Sequence, residues 1–426
     1  MTPNSNPAIY AGNERIDIVE LINRTPLKGI PPGSIKEKVD LLWRRYQRER
    51  SRIQKDSPVE MEGLERGQNR ILSDIASTRS RSTDKYSRGE HLFFTSSGLR
   101  WATPEAAAKH CAERLRGTDV LDLTCGQGGQ VIFLARTCRS VIAVDIDPMN
   151  CLITMLNSSS LGLENVTVVL GDCLNEDVLS HAEKGCFIFS DPARPPGAEE
   201  RTMEQIVPNP VKVLDRYSGF ASGACFEVPP YLDIGRIPFD CEAEYISIDG
   251  RLNRLNLYTG NLKKHRRSAV ILPSGSMIFG KPGGKPSADA PDIKTGQFLH
   301  EVDPALVKAE LLDELLQGLG SNASITELDA RRTVLVSPEL ENSPFLSAPQ
   351  RILAIAVSED EVKSSLNEIS AGSVTLRYNV DPSKYWEVRR DFEKGLKGEL
   401  KVNLFKGGFF IITERPKRWD VEHDGI

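Results

Sequence analysis

Apolar positions in the middle of this chain come in short unbroken runs, not in alternation. Val120–Leu123, Ser140–Val144, Val166–Leu170, Cys186–Phe189 and Ala224–Val228 are each four or five residues long and rich in β-branched and aromatic side chains. Runs of that length and composition predict strands covered on both faces, as in a parallel sheet. Helical patterns lie between them, starting with Val131–Arg136. Alternating strand and helix is the order of an open α/β sheet, the Rossmann-like arrangement.

The polar residues that end these runs change the picture more than the runs do. Val120–Gly129 reads VLDLTCGQGG: an acid, Asp122, lies inside the strand, and Gly126, Gln127, Gly128 and Gly129 form a turn with little bulk. Such a turn lets backbone approach a ligand. The dinucleotide fingerprint G-x-G-x-x-G is absent. The second run ends in Asp145, nineteen positions after Gly126, where an acid can accept both hydroxyls of a ribose. The third ends in Gly171, Asp172 and Cys173, and the fourth in Ser190, Asp191, Pro192, Ala193 and Arg194. Open α/β sheets bind ligands at this carboxyl edge.

The flanks are less regular. Residues 1–34 are rich in turn formers and predict a loose arm with one short helix, Arg15–Asn23. Ser34 reads as the N-cap of a helix from Ile35, with Val39, Leu42 and Trp43 as its apolar stripe. Arg44, Arg45, Arg48, Arg50 and Arg52 follow, either a solvated face or a set of phosphate contacts. Arg79, Arg81, Lys85 and Arg88 read as a mobile basic connector. His91 begins a short apolar strand, and Thr103-Pro104 a helix with threonine as its cap. Met203–Tyr217 reads as a helix, Glu242–Ile248 and Leu252–Tyr258 as antiparallel strands, and Ser268–Leu272 as a last core strand. Met277–Thr295 reads as a mobile loop or linker. From Phe298 the pattern changes to a small α+β module: a helix starting at Asp303-Pro304, two strand–helix units, and a hairpin around Lys406-Gly407-Gly408. The predicted division is 1–90, a helical, partly basic arm; 91–282, the α/β domain; 283–297, a linker; and 298–426, the α+β module.

Composition narrows the class. The chain has 426 residues, 39% hydrophobic and 27% charged, as expected of a soluble globular protein, and its cysteine usage suits a reducing cytoplasm. It has no apolar run of membrane-spanning length and no basic-then-apolar leader pattern at its start. The eight cysteines all fall between Cys111 and Cys241 without a C-x-x-C, so buried thiols are expected, with no metal. A net charge of −5 does not advertise nucleic-acid binding; any RNA contact needs local basic patches such as Lys384, Arg389, Arg390, Lys394, Lys401 and Lys406.

The order of the four sheet edges resembles that of class I S-adenosylmethionine-dependent methyltransferases. The resemblance implies that Asp122, Gly126, Gln127 and Gly128 meet the methionine part of the cofactor, Asp145 and Ile146 the ribose, and Asp172 and Cys173 the adenine. It implies that Asp191 and Pro192 face the methyl acceptor. The Thr103-Pro104-Glu105 helix start just before the glycine turn resembles the trimethylguanosine synthase group, which places Thr103, and Trp101 beside it, against the cofactor pocket. The Glu301–Ala309 helix start and the closing basic hairpin resemble the THUMP-like domain that follows a methyltransferase domain in a family of RNA methyltransferases. This implies an RNA partner, with resemblance over roughly Leu92–Pro416.

Methyltransferases of exocyclic amines carry Asp or Asn, then Pro-Pro, then an aromatic at the acceptor edge. Here Ala193-Arg194 replaces the second half, so Arg194 is the candidate to stack on a base or fork onto a phosphate. Asp-Pro-Ala-Arg also resembles the edge of RNA 5-methyluridine methyltransferases. Their cysteine nucleophile is missing, because the fifth edge reads Glu227-Val228-Pro229-Pro230 and Cys225 lies inside the strand. The expected activity is therefore methylation of a base nitrogen, guanine favoured, in tRNA or rRNA. Two other readings use the same residues: a small-molecule or protein methyltransferase, and a non-catalytic RNA-binding protein.

Overall fold

The computed structural model describes residues 8–11, 13–49, 63–193, 203–283 and 293–416. The chain forms two units, Met1–Ala243 with Arg254–Lys264, and Glu244–Asn253 with His265–Ile426. The β-hairpin from Glu242 to Tyr258 contributes residues to both. Among the described residues, no helix is long and apolar enough to cross a membrane.

The first unit is built on strands β1 (Ile9–Ala11), β2 (Glu14–Arg15), β3 (Asp119–Asp122), β4 (Ser140–Asp145), β5 (Val166–Leu170), β6 (Phe187–Ser190) and β7 (Gly223–Val228). Strand β8 is Glu242–Ile248 and β9 is Arg251–Tyr258, whose second half pairs antiparallel with β7. The order is β9-β7-β6-β3-β4-β5-β1-β2. The central pairs β6–β7, β3–β6, β3–β4 and β4–β5 are all parallel. The five apolar runs of the sequence are β3 to β7, so the α/β, Rossmann-like expectation holds. The chain winds outward from β3 through β4 to β5, then returns to place β6 against β3 on the other side. The carboxyl ends of β3 and β6 thus flank the point where strand order reverses, where such sheets open a crevice. Helices α1 (Ile18–Asn23), α2 (Pro32–Glu49), α3 (Arg66–Ser82), α4 (Ser96–Trp101), α5 (Glu105–Arg114), α6 (Val131–Thr137), α7 (Pro148–Ser160), α8 (Glu176–Leu179) and α9 (Pro210–Arg216) complete the unit.

The flanks depart from expectation. The first residues are not a loose arm: β1 pairs parallel with β5, and Val168 N donates to the Ala8 carbonyl at 2.9 Å. Ile9, Ile16, Leu21, Ile22, Leu27 and Ile30 join the main hydrophobic core, which offsets the ordering entropy and covers the β5 edge. The helix expected from Arg15 begins at Ile18, capped by Asp17, and the next begins at Pro32 rather than after Ser34. The basic connector begins in helix α3, which holds Arg79 and Arg81, while Lys85 and Arg88 follow its end. Arg79 is only 4% exposed, paired with Asp40 Oδ1 at 2.6 Å and lying 4.8 Å from the Phe93 ring centroid. A guanidinium so placed packs the helices and is closed to phosphate. Arg44, Arg45 and Arg48 lie in α2, while Arg50 and Arg52 fall outside the described residues.

No strand forms at Phe93, because the Asn157 side-chain amide takes both of its backbone groups, accepting at 2.7 Å and donating at 2.9 Å. The helix expected over Met203–Tyr217 is cut short by Pro208 and Pro210: only a 3-10 turn at Met203–Gln205 and α9, capped by Asn209, form.

The second unit holds β10 (Arg267–Leu272) and β11 (Ser276–Gly280), an antiparallel hairpin in the order β11-β10-β8. Residues 276–280 are therefore strand where a loop was expected, and 284–292 lie outside the described residues. A mixed sheet follows: β12 (Phe298–Glu301), β13 (Ser324–Asp329), β14 (Arg332–Ser337), β15 (Gln350–Ala356), β16 (Ala371–Leu376), β17 (Leu400–Lys406) and β18 (Phe410–Glu414), ordered β13-β14-β12-β15-β18-β17-β16. Its helices are α10 (Pro304–Ala309), α11 (Leu312–Leu319), α12 (Glu359–Glu368) and α13 (Tyr385–Glu393). Asp303 caps α10 through Ala305 N at 2.8 Å and accepts from Ser247 Oγ at 2.8 Å. The single helix expected after Asp303 is two, because Glu310 is left-handed at φ 59°.

Candidate active site

The glycine turn between β3 and α6 is held open from below. Gly126 and Gly128 have φ of 54° and 82°, a region that side-chain-bearing residues avoid. A Cβ on Gly128 would also stand 3.2 Å from Thr154 Oγ1. Gly126 N donates to Asp145 Oδ2 at 2.9 Å, and its carbonyl accepts from Thr154 Oγ1 at 2.9 Å. Asp145 Oδ1 accepts from Asp147 N at 2.9 Å and Asn150 Nδ2 at 3.2 Å. One carboxylate thereby ties the end of β4 to the turn and to the start of α7. The Gln127 side chain braces the turn from another direction: Nε2 donates to Thr95 Oγ1 and Oε1 accepts from Thr95 N, both at 2.9 Å.

Asp122 closes β3 and is fully buried. Its Oδ1 accepts from Thr124 N at 3.1 Å, while Oδ2 has no hydrogen-bond partner. Burial pushes its carboxyl well above the usual range, and the nearby Asp191, Asp145 and Glu227 charges add to the rise. Thr124 then reaches across to β6. Its Oγ1 accepts from Asp191 N at 2.7 Å and lies 3.4 Å from Ser190 Oγ. Asp191 is exposed, Pro192 is buried and Ala193 is exposed; Arg194 lies outside the described residues.

Farther along the edge, Gly171 N donates to the Asp145 carbonyl at 3.0 Å. Asp172 is exposed, with Oδ1 accepting from Leu174 N at 2.9 Å. Cys173 is buried, and burial pushes its thiol up to about 12. Ile146 is 71% exposed beside Asp145, an apolar surface with no core to cover it. Asp122, Asp145, Asp172 and Asp191 thus line one carboxyl edge, as the strand ends predict.

Thr103 is not the cap of α5; Pro104 occupies that position. The buried Thr103 hydroxyl instead lies 3.3 Å from both Glu227 Oε2 and Arg254 Nη1, and Glu227 and Arg254 are an ion pair. Its carbonyl accepts from Tyr86 Oη at 2.7 Å. Sequence reading named Glu227 without a role and missed Arg254; the available signal was a charge inside each of two apolar strands, ACFEV and RLNRLNLY. Lys85 Nζ donates to the Leu99 carbonyl at 2.9 Å and the Arg100 carbonyl at 3.4 Å, with its pKa lowered to about 8 by burial and by Arg254. Cys225 is buried with its sulfur 3.6 Å from that of Cys111, so it presents no nucleophile to the edge.

Two stability predictions arise here. Arg254→Ala leaves a carboxylate with 3% exposure unpaired and is expected to cost about 3–5 kcal/mol near pH 8. The cost is expected to be smaller at pH 5, because burial shifts the Glu227 carboxyl upward and favours its neutral form as pH falls. Urea unfolding at the two pH values checks this. Asp122→Asn is expected to stabilise the unliganded protein. The folded pKa of Asp122 lies above its unfolded value near 4, so the folded state holds the proton longer and stability falls as pH rises through that window. The melting temperature of the asparagine variant should gain on wild type as pH rises above about 4; parallel curves would show that Asp122 does not keep its proton longer in the folded state.

The comparisons with known proteins converge on this edge. A family of RNA cap guanine-N2 methyltransferases matches residues 117–203, the segment that carries β3 to β6 and the four acids. An uncharacterised S-adenosylmethionine-dependent methyltransferase of Mycobacterium tuberculosis, from strains H37Rv and CDC 1551, is 28% identical over 292 residues, 66% of this chain and 76% of its own. The chain is an S-adenosylmethionine-dependent methyltransferase. A protein of Porphyromonas gingivalis W83 described as a methyltransferase superposes with a TM-score of 0.68 at 16% identity, over 90% of this methyltransferase and 99% of its own chain. That likeness shows a shared α/β, Rossmann-like fold. The site suits the cofactor on its own terms: a cradle that a Cβ would strain, and a buried carboxylate oxygen without a partner beneath it.

Proposed function

We propose that this methyltransferase acts on RNA, transferring the methyl group to a base nitrogen, guanine favoured, in tRNA or rRNA. One observation carries the reading: the Asp191 backbone is pinned by Thr124, two residues from Asp122 on the cofactor turn. Acceptor edge and cofactor turn are therefore one rigid piece, which is what in-line displacement requires. The match to RNA cap guanine-N2 methyltransferases covers this piece and supports an amine on a guanine as the acceptor class.

S-adenosylmethionine supplies an electrophilic methyl and, on transfer, a neutral thioether leaving group. The chain's part is alignment. Gly126 to Gly128 and Asp122 hold the methionine end, with Thr103 beside them; Asp145 and Ile146 hold the ribose; Asp172 and Cys173 flank the adenine. The Asp191 carboxylate and the Pro192 carbonyl accept hydrogens of the target amine and aim its lone pair. Arg194 contacts the base or its phosphate. Residues 298–426 serve as a THUMP-like RNA-binding module, and the α/β domain groups with the trimethylguanosine synthases, working in the cytoplasm.

The test is transfer of labelled methyl to unmodified tRNA and rRNA transcripts, followed by nucleoside digestion and mass analysis. A labelled guanosine methylated on nitrogen is expected, with RNA affinity that falls steeply with salt. Label on a protein or small molecule and none on RNA would overturn the reading.

A further inference from the structure

Holding a base for methylation takes more than two acceptors for its amine. An unstacked base needs a flat partner, and proteins supply one from aromatic or guanidinium planes. Ala193, the exposed residue after Asp191-Pro192, offers no plane, and Arg194, proposed above to contact the base or its phosphate, can cover one face of a base at most. Another part of the same unit offers a plane.

Trp101 ends α4 and is 72% exposed. It is exposed yet fixed. Lys85 holds the carbonyls of Leu99 and Arg100. At the other end of α4, Thr95 is locked to Gln127 of the glycine turn by two hydrogen bonds. Ala102, the next residue, packs against the turn so closely that a Cβ on Gly129 would stand 3.3 Å from its own. Thr103 then reaches Glu227 at the end of β7, and β7 pairs with β6, the strand that leads into Asp191. The Arg100 guanidinium lies over one face of the indole, 5.1 Å from its centroid, so the other face supplies the exposure. The backbone that carries the indole is held against the glycine turn through Ala102, and the ring itself is left bare.

We propose that Trp101 is the stacking platform for the target base, with Arg100 backing the ring. Trp101 is a specificity-determining residue of the acceptor site. The inference rests on the RNA-base reading above. It also accounts for an acceptor edge that lacks an aromatic of its own: the plane comes from α4 instead.

The experiment compares Trp101→Ala, Trp101→Leu and Trp101→Phe in the full chain, measuring KM and kcat on unmodified tRNA and rRNA transcripts and cofactor affinity by calorimetry. Alanine and leucine are expected to raise the RNA KM about tenfold or more, while phenylalanine stays within about threefold of wild type. Trp101 is bare and the turn is braced by Thr95, Gln127 and Asp145, so cofactor affinity is expected to change by less than about threefold in all three; a larger loss would return Trp101 to the cofactor pocket and overturn this inference. Tyr231, which follows β7 and is 55% exposed, is the internal comparison. Transfer by wild type with an unchanged KM in Trp101→Ala, a leucine variant as good as phenylalanine, or a loss seen only in Tyr231→Ala would overturn this inference and leave the RNA reading standing. No transfer to any RNA by wild type, with cofactor binding intact, would overturn both.

Discussion

Asp191→Ala is expected to lower methyl transfer at least about a thousandfold while changing S-adenosylmethionine affinity by less than about threefold. The asymmetry follows from where the side chain stands. Its backbone is part of the rigid edge, through Thr124, and that hydrogen bond survives the substitution. Asp191 itself is exposed. In the role proposed for Asp191, what is lost is the group that orients the amine and accepts a hydrogen from it as the new bond forms. Proton acceptance contributes about two to four orders of magnitude in enzymes of many kinds, and misplacing a reacting group by about 1 Å costs about a hundredfold more. Asp191→Asn should fall between, because an amide oxygen still accepts one hydrogen. Single-turnover transfer and calorimetry on the same preparations check both halves. Full activity in the alanine variant would move the acceptor site away from this edge.

Asp145→Ala is expected to weaken cofactor binding about a hundredfold or more. A carboxylate that accepts two ribose hydroxyls makes two charge-assisted hydrogen bonds, each worth about 1.5–3 kcal/mol. Here the same carboxylate also accepts from Gly126 N, Asp147 N and Asn150 Nδ2, so removing it loosens the turn as well. Asp145→Asn separates the two effects. The amide oxygen can keep the backbone contacts, so the fold and melting temperature should persist while ribose affinity falls. An asparagine variant that binds S-adenosylmethionine as tightly as wild type would remove Asp145 from the cofactor site.

Much of the catalytic unit could be read from residues in order along the chain. A strand buried on both faces needs only a short apolar run, and β3 to β7 each have one. The residue that ends such a strand must emerge at the carboxyl edge, so Asp122, Asp145, Asp172 and Asp191 were bound to share one edge once the strands were parallel. Gly126 and Gly128 were legible for a similar reason: positive φ is a local demand that few other residues meet.

Other features depended on partners far away in sequence. Nothing local tells Ile9–Ala11 to pair with Val168–Leu170, and the turn-rich composition around it argues for a loose arm. Arg79 reads as a solvated cation until Asp40 and Phe93 close over it. Thr103 reads as a helix cap until Glu227, 124 residues on, and Arg254, 151 residues on, take its hydroxyl. The sequence by itself determined which strands are buried, which acids end them, and therefore the fold and cofactor class, because those demands are met within a few residues. Only the tertiary structure decided which charges are structural, what braces the glycine turn, and that Trp101 stays bare beside it, because burial and pairing belong to the assembled chain.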